Sequence, residues 1–242
     1  MFRIVRINPL MELMLSSPQR ISRLTVQKDS DNRRVQEIVE LARKHRIVVT
    51  YAPRKTLDRM DRHHQGVAAW VVPKGTSSVN QILADAQVPF LILLDGVEDP
   101  QNLGAIVRTA EGAGVDGIIL PERRAAGVTE TVFSVSAGAL EHMPVAQVKN
   151  LARTMGELRK KDIWLVGAEG GSDLTCYDFD YTGPVAIVLG SEGKGLRPLI
   201  KAKCDAVLSI PLLGKISSLN VSAAAAVFMY EVVRQRKQAH QS

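Results

Sequence analysis

A chain of 242 residues with 45% apolar and 23% charged residues has globular proportions, which excludes a fibrous or disordered protein and suits one large domain or two modest ones. The net charge of +6 is unevenly spread: residues 1–75 hold 15 Lys/Arg against 7 Asp/Glu, and residues 76–242 hold 16 against 18, so the first third is the candidate polyanion surface, or else a merely solubilising basic face. Two cysteines without a CxxC pair or HExxH, an opening Met1-Phe2-Arg3-Ile4-Val5-Arg6 broken by charge, and no run of about 18 apolar residues argue against a disulfide framework, a metal site, secretion and membrane spanning, and the expected compartment is the cytoplasm.

Along the chain, helix-period segments around Pro9 to Ser16 and Asn32 to His45 alternate with β-branched runs at Ile21 to Val26 and Ile47 to Tyr51. A strand-like run, Gly66 to Val72, then meets the polar cluster Pro73-Lys74-Gly75-Thr76-Ser77-Ser78. Residues 1–74 therefore read as a small α/β domain, 75–87 as a linker and 88–242 as a second domain. In the latter, five apolar runs (90–94, 117–120, 163–166, 186–189 and 206–210) alternate with helix-compatible stretches, the pattern of a parallel sheet covered on both faces. Ligands of such sheets bind beyond the carboxyl ends of the strands, so the loops after the runs are where chemistry is expected. The last helix, Ser218 to Lys237, contains Ala223-Ala224-Ala225-Ala226, which suits core or subunit packing.

Three loops stand out. After Leu91 to Leu94 comes Asp95-Gly96-Val97-Glu98-Asp99-Pro100-Gln101-Asn102, then a helical pattern carrying Arg108. Pro100 marks a helix start with Asn102 as a possible cap. Asn102 and Arg108 are six apart and do not share a face, and taken alone Arg108 reads as a solvated surface residue. After Ile187-Val188-Leu189 comes Gly190-Ser191-Glu192-Gly193-Lys194-Gly195-Leu196, in which three glycines allow close backbone approach to a ligand; it is neither a Walker loop nor GxGxxG, and a plain turn also fits. After Leu208-Ser209-Ile210 comes Pro211 to Ser222, with Ser217, Ser218, Asn220 and Ser222 opening an otherwise apolar helix. Capping accounts for one of those four polar groups.

Together these segments resemble the SpoU family of S-adenosylmethionine-dependent RNA ribose 2′-O-methyltransferases, within the SPOUT superfamily. The resemblance spans residues 88–235, and residues 1–72, through Asn8-Pro9-Leu10-Met11-Glu12 and His64-Gln65-Gly66-Val67, look like the substrate-binding domain of the subgroup that modifies a guanosine of 23S ribosomal RNA. It implies a parallel-sheet α/β domain with a trefoil knot, a homodimer whose second subunit completes the active site, and no metal. Implied cofactor contacts are Leu189, Gly190, Gly195, Ile210 and Leu219; implied catalytic residues are Arg108, Asn102, Glu192, Ser218 and Asn220. Arg108 would stabilise the developing alkoxide and clamp phosphate, because an arginine rarely gives up its proton. Asn102 would orient Arg108 or the ribose, Glu192 would hold an Arg or Asn in place, and Ser218 and Asn220 would position nucleotide or cofactor. Glu192 as a general base is a second possibility if its pocket is dry. His142, His63 and His64 are secondary acid/base candidates. The same reaction on transfer RNA or on a resistance site of ribosomal RNA, and a non-catalytic ribosome-assembly factor, are the alternatives.

Overall fold

The computed structural model describes residues 1–239 and 241. In chain order the first elements are β1 (Phe2–Ile4), α1 (Ile7–Ser16), β2 (Ile21–Gln27), α2 (Arg33–Lys44), β3 (Val49–Ala52), α3 (Arg54–Met60) and β4 (Val67–Val71). Next come α4 (Val79–Asp85), β5 (Phe90–Asp95), α5 (Pro100–Gly112), β6 (Gly117–Pro121), α6 (Glu130–Val135), β7 (Val145–Val148) and α7 (Leu151–Arg159). The chain continues through β8 (Trp164–Ala168), β9 (Val185–Gly190), α8 (Pro198–Lys201), β10 (Ala206–Leu208) and α9 (Val221–Ala239). Local chemistry sets many helix starts: Asn32 accepts from the Arg34 N–H, Ser78 and Gln81 form a capping box, and Asn150 accepts from the Arg153 N–H.

The chain divides into two compact units, Met1–Gly75 with Val128–His142, and Thr76–Gly127 with the remainder. Two expectations need correcting. Residues 75–87 are not a bare linker, because they contain α4, whose Ile82 is buried in the core of the second unit. Residues 128–142, expected in the second domain, pack with the first.

The first unit is a four-stranded sheet of order β1-β4-β2-β3, in which only β2 and β3 run parallel. Leu10, Leu13 and Met14 of α1, Ile38 of α2 and Leu57 of α3 supply fully buried side chains. The inserted segment joins this unit through side chains and backbone alike. Phe133 packs against Phe2 with ring centroids 5.5 Å apart and planes tilted by 50°, and Glu130 accepts the Arg3 N–H at 3.1 Å. Gly138 has φ +96°, and a Cβ there would lie 2.7 Å from the Glu12 Cβ, so glycine is required on both counts. Arg20 pairs with Glu141, whose side chain is 1% exposed, while the Lys74 ammonium caps the Leu140 and Glu141 carbonyls and is pushed down in pKa by its burial. Glu141→Gln leaves that arginine short of its charge-assisted acceptors and is expected to destabilise the protein by roughly 1.5–3 kcal/mol in urea unfolding. A change within error would show the pair to be neutral.

The second unit is a six-stranded, wholly parallel sheet of order β10-β8-β9-β5-β6-β7. Strands β5 and β9, at its centre, are buried along their whole length. Continuous apolar runs such as Phe90-Leu91-Ile92-Leu93-Leu94 are what helices on both faces demand. Helices α5 and α9 pack together, and α4 and α7 contribute Ile82, Leu151, Met155 and Leu158 to the core. All three loops singled out in the sequence therefore emerge at the carboxyl edge of one sheet.

Candidate active site

The loop after β5 leads into α5 through Asp99, which accepts the Gln101 N–H at 2.9 Å ahead of Pro100. Asp99 is therefore the cap, in place of Asn102. Asn102 sits within the first turn with its side chain free for other work, and it is buried. The loop after β9 is closed by paired backbone hydrogen bonds between Ser191 and Gly195, at 3.1 and 3.0 Å. Its far end is anchored by Asp95, a fully buried carboxylate at the end of β5. One oxygen accepts the Arg197 N–H at 3.1 Å and the other accepts from the Arg197 Nε at 2.7 Å. The third loop runs to Asn220, where α9 begins; Ser218 precedes the helix instead of starting it. The Asn220 Oδ1 accepts from both the N–H and the hydroxyl of Ser222.

These loops meet in one hydrogen-bonded ring. Asn102 Nδ2 donates to Glu192 Oε2 at 3.1 Å, Asn220 Nδ2 donates to Asn102 Oδ1 at 2.9 Å, and Asn220 Nδ2 also lies 3.3 Å from Glu192 Oε1. A carboxylate only accepts, so Glu192 dictates which way the Asn102 amide points, and the Asn102 oxygen together with Ser222 then dictates the orientation of Asn220. Glu192 is exposed and accepts from both amides. Its place in the ring is that of a brace.

Of the ring, Glu192 lines two cavities, Asn102 only the second of them, and Asn220 neither. Leu189, Gly190, Gly195, Ile210 and Leu219 line the first, of 410 Å³, together with Ser218 and Glu192. The second, of 540 Å³, is lined by Asp95, Asn102, Arg124, Glu192, Lys194 and Arg197 among others. Arg108 lines neither: it is exposed on α5, with no side-chain hydrogen bond or ion pair to another described residue.

His64, His63 and His142 all belong to the first unit. His64 is buried, its Nδ1 accepting the Gly66 N–H and its Nε2 facing Asp58 at 3.0 Å, which fixes the tautomer and makes it a structural group. The cysteines are free, and burial raises both thiols, that of Cys204 up to about 12, which disfavours a thiolate nucleophile. Among the described residues, no group of three or more His, Cys, Asp or Glu is placed to hold a metal.

Two contributors were not legible in the sequence. The Asp95–Arg197 anchor joins residues 102 positions apart and carries no local pattern. Glu169, just past β8, lines the first cavity; its Oε1 meets Lys201 at 2.8 Å, and its Oε2 is buried without a hydrogen-bond partner. For Glu169 the available signal was an acid directly after an apolar strand.

The family described as SpoU rRNA Methylase matches residues 89–230, and that described as RNA 2′-O ribose methyltransferase substrate binding matches residues 7–77. The chain belongs to the SpoU family. A SpoU relative from Pectobacterium atrosepticum, the 23S rRNA (guanosine-2′-O-)-methyltransferase RlmB, is 44% identical over 229 residues, 93% of this chain and 94% of its own. The putative TrmH family tRNA/rRNA methyltransferase YacO of Bacillus subtilis is 43% identical over 227 residues, covering 92% and 91%. Among solved structures, the SpoU methyltransferase AviRb from Streptomyces viridochromogenes, in complex with the cofactor AdoMet, superposes with a TM-score of 0.83 at 26% identity, over 98% of this chain and 91% of that one. SpoU membership also carries the trefoil knot as an implication, which the strand order alone does not display.

Proposed function

We propose that the protein methylates the 2′-hydroxyl of a ribose, that of a guanosine in 23S ribosomal RNA, using S-adenosylmethionine, as a homodimer in the cytoplasm. The observation that carries the reading is the ring Asn102–Glu192–Asn220, which ties all three loops together through Glu192, a residue in the lining of both cavities. The residues of the first cavity fit the cofactor. Gly190 lets the Gly195–Leu196 backbone fold directly against it and so shapes the cavity wall, Leu189, Ile210 and Leu219 offer apolar contact, and the orphaned Glu169 Oε2 is an acceptor awaiting a donor such as a ribose hydroxyl.

Bound S-adenosylmethionine supplies an electrophilic methyl on a sulfonium. The protein's part is positioning and electrostatics. Asn102, locked by Glu192 and Asn220, presents a fixed amide group in the wall of the second cavity, where the acceptor nucleotide would sit. Ser218 holds nucleotide or cofactor at the rim. Arg108 stabilises negative charge growing on the 2′-oxygen and clamps the adjoining phosphate; its absence from both linings supports its doing so for the partner subunit's site. The first unit, residues 1–75 with 128–142, selects the RNA; it carries 15 Lys/Arg against 9 Asp/Glu.

Calorimetry with S-adenosylhomocysteine in the presence of a chelator is expected to show one site per chain. Mapping of ribose methylation in 23S rRNA, with and without the gene, should lose one guanosine signal. No cofactor binding by the intact protein would refute the enzyme reading in favour of an assembly factor, and a lost signal in transfer RNA would move the substrate.

A further inference from the structure

A third cavity, of 380 Å³, opens at the carboxyl ends of β6 and β7. Its lining includes Arg123, Arg124, Lys149 and Arg197 and no acidic residue. That concentration is anomalous in its setting, because the second unit as a whole holds 16 Lys/Arg against 16 Asp/Glu. Arg197 is answered by Asp95, but Arg123, Arg124 and Lys149 form no side-chain hydrogen bond or ion pair with another described residue. Cations held around one concavity repel each other, and an anion placed among them relieves that repulsion.

The cavity is built on a fixed base. The Glu122 N–H donates to the Val148 carbonyl at 3.0 Å, linking the ends of β6 and β7, and the Ala126 N–H donates to the Val97 carbonyl at 2.9 Å, linking this loop to the one after β5. Between these ties Arg124 takes φ +60°, a left-handed conformation uncommon outside glycine. Arg124 and Arg197 line the second cavity as well, so the two are neighbours with common walls. In sheet order, the cofactor cavity lies beyond β8 and β9, the middle cleft beyond β9 and β5, and the basic cavity beyond β6 and β7.

We propose that this basic cavity holds backbone phosphates of the RNA strand flanking the target ribose, so that the methyltransferase unit grips RNA itself instead of relying on the first unit alone. The inference rests on the ribose-methyltransferase reading, which puts the target nucleotide in the middle cleft. A strand leaving that cleft past Arg124 and Arg197 enters a cavity whose charge suits phosphate and whose lack of aromatic lining suits backbone more than base.

The test uses the whole 242-residue chain with Arg123→Gln, Arg124→Gln and Lys149→Gln combined, and a charge-keeping control, Arg123→Lys with Arg124→Lys. Arg197 is left alone because it anchors the cofactor loop. The probe is 23S rRNA transcribed in vitro. Each phosphate contact on a single strand adds about 0.7 to the log–log salt slope, so the triple variant should show a slope smaller by about 2. Its KM for RNA should rise while S-adenosylhomocysteine affinity stays within about twofold, and the lysine control should keep the wild-type slope. An unchanged slope with intact cofactor binding overturns the proposal. So does a shifted monomer–dimer equilibrium at unchanged slope, which would make the cluster a subunit contact. Failure of the wild-type protein to methylate the RNA would refute the underlying reading, while the slope comparison would still decide the phosphate contact.

Discussion

Gly190→Ala should raise the dissociation constant for S-adenosylhomocysteine more than a hundredfold, a loss of about 2.7 kcal/mol or more. Gly190 ends β9, and the loop it starts folds straight back over it. An added Cβ would sit 2.1 Å from the Gly195 carbonyl carbon, 2.3 Å from its oxygen and 2.4 Å from the Leu196 nitrogen. All three are backbone atoms, so no rotamer change relieves the clash. The loop cannot retreat freely, because Asp95 holds its far end through Arg197 and the Ser191–Gly195 hydrogen bonds hold its neck. The cradle must therefore open, taking Glu192 away from Asn102 and Asn220. Overpacking of this kind also costs about 1–3 kcal/mol of stability, readable as a lower Tm. Gly214→Ala is the matched control, since a Cβ there meets nothing within 4 Å, and it should bind normally. Gly190→Ala protein with cofactor affinity within threefold of wild type would remove the cradle from the account.

The same loops show how far sequence reasoning reaches. The strands of the parallel sheet are continuous apolar runs bounded by polar residues, so β5, β6, β8, β9 and β10 stand out. Strand β7 does not: Val145-Ala146-Gln147-Val148 is four residues long, interrupted by a polar side chain and preceded by Pro144. The helix at 79–85 is only seven residues long and follows a polar Gly/Pro/Ser cluster, so its signals are short: a capping box, Ser78 with Gln81, and the apolar spacing Val79, Ile82, Leu83. That 128–142 folds against residues 1–75 rests on Phe133, Glu130, Gly138 and Glu141 meeting residues more than a hundred positions away, which no local pattern encodes. A chain begun at Thr76 would leave that segment without its partners, so it is a poorer test of the division of labour than point substitutions in the intact protein. At the site, residue types and their loops are legible, but which atoms meet is not. Asn102, Glu192 and Asn220 form a ring spanning 118 residues of chain, and the Asp99 cap shows that Asn102 has a different task from the one its place near a helix start suggests.

Arg108→Ala should cut turnover roughly a hundred- to a thousandfold, about 2.7–4 kcal/mol, with cofactor affinity nearly unchanged. Arg108→Lys should fail too, because an ammonium cannot reproduce a two-pronged contact with phosphate. The position of the residue sharpens this expectation. Six helical positions separate it from Asn102, which turns its side chain to another side of α5; Asn102 is buried in the ring, whereas Arg108 points to solvent and lines none of the three cavities. A catalytic Arg108 must then serve the site of a second subunit, and that is decidable. When Arg108→Ala chains are co-expressed with Gly190→Ala chains, neither homodimer is active. In a mixed dimer, the Arg108→Ala subunit keeps a sound cofactor cradle and receives Arg108 from its partner, so one of the two sites works. Purified mixed dimers should show about half the wild-type rate, set by the two-fold symmetry of the assembly. If Arg108 acted within its own chain, both sites of the mixed dimer would be dead and activity would stay at the background of the single variants. Sedimentation of the wild-type protein as a monomer at micromolar concentration, with full activity, would exclude the arrangement altogether. A drop of less than tenfold in Arg108→Ala would make the residue a solvated surface arginine, the reading its sequence context alone favours.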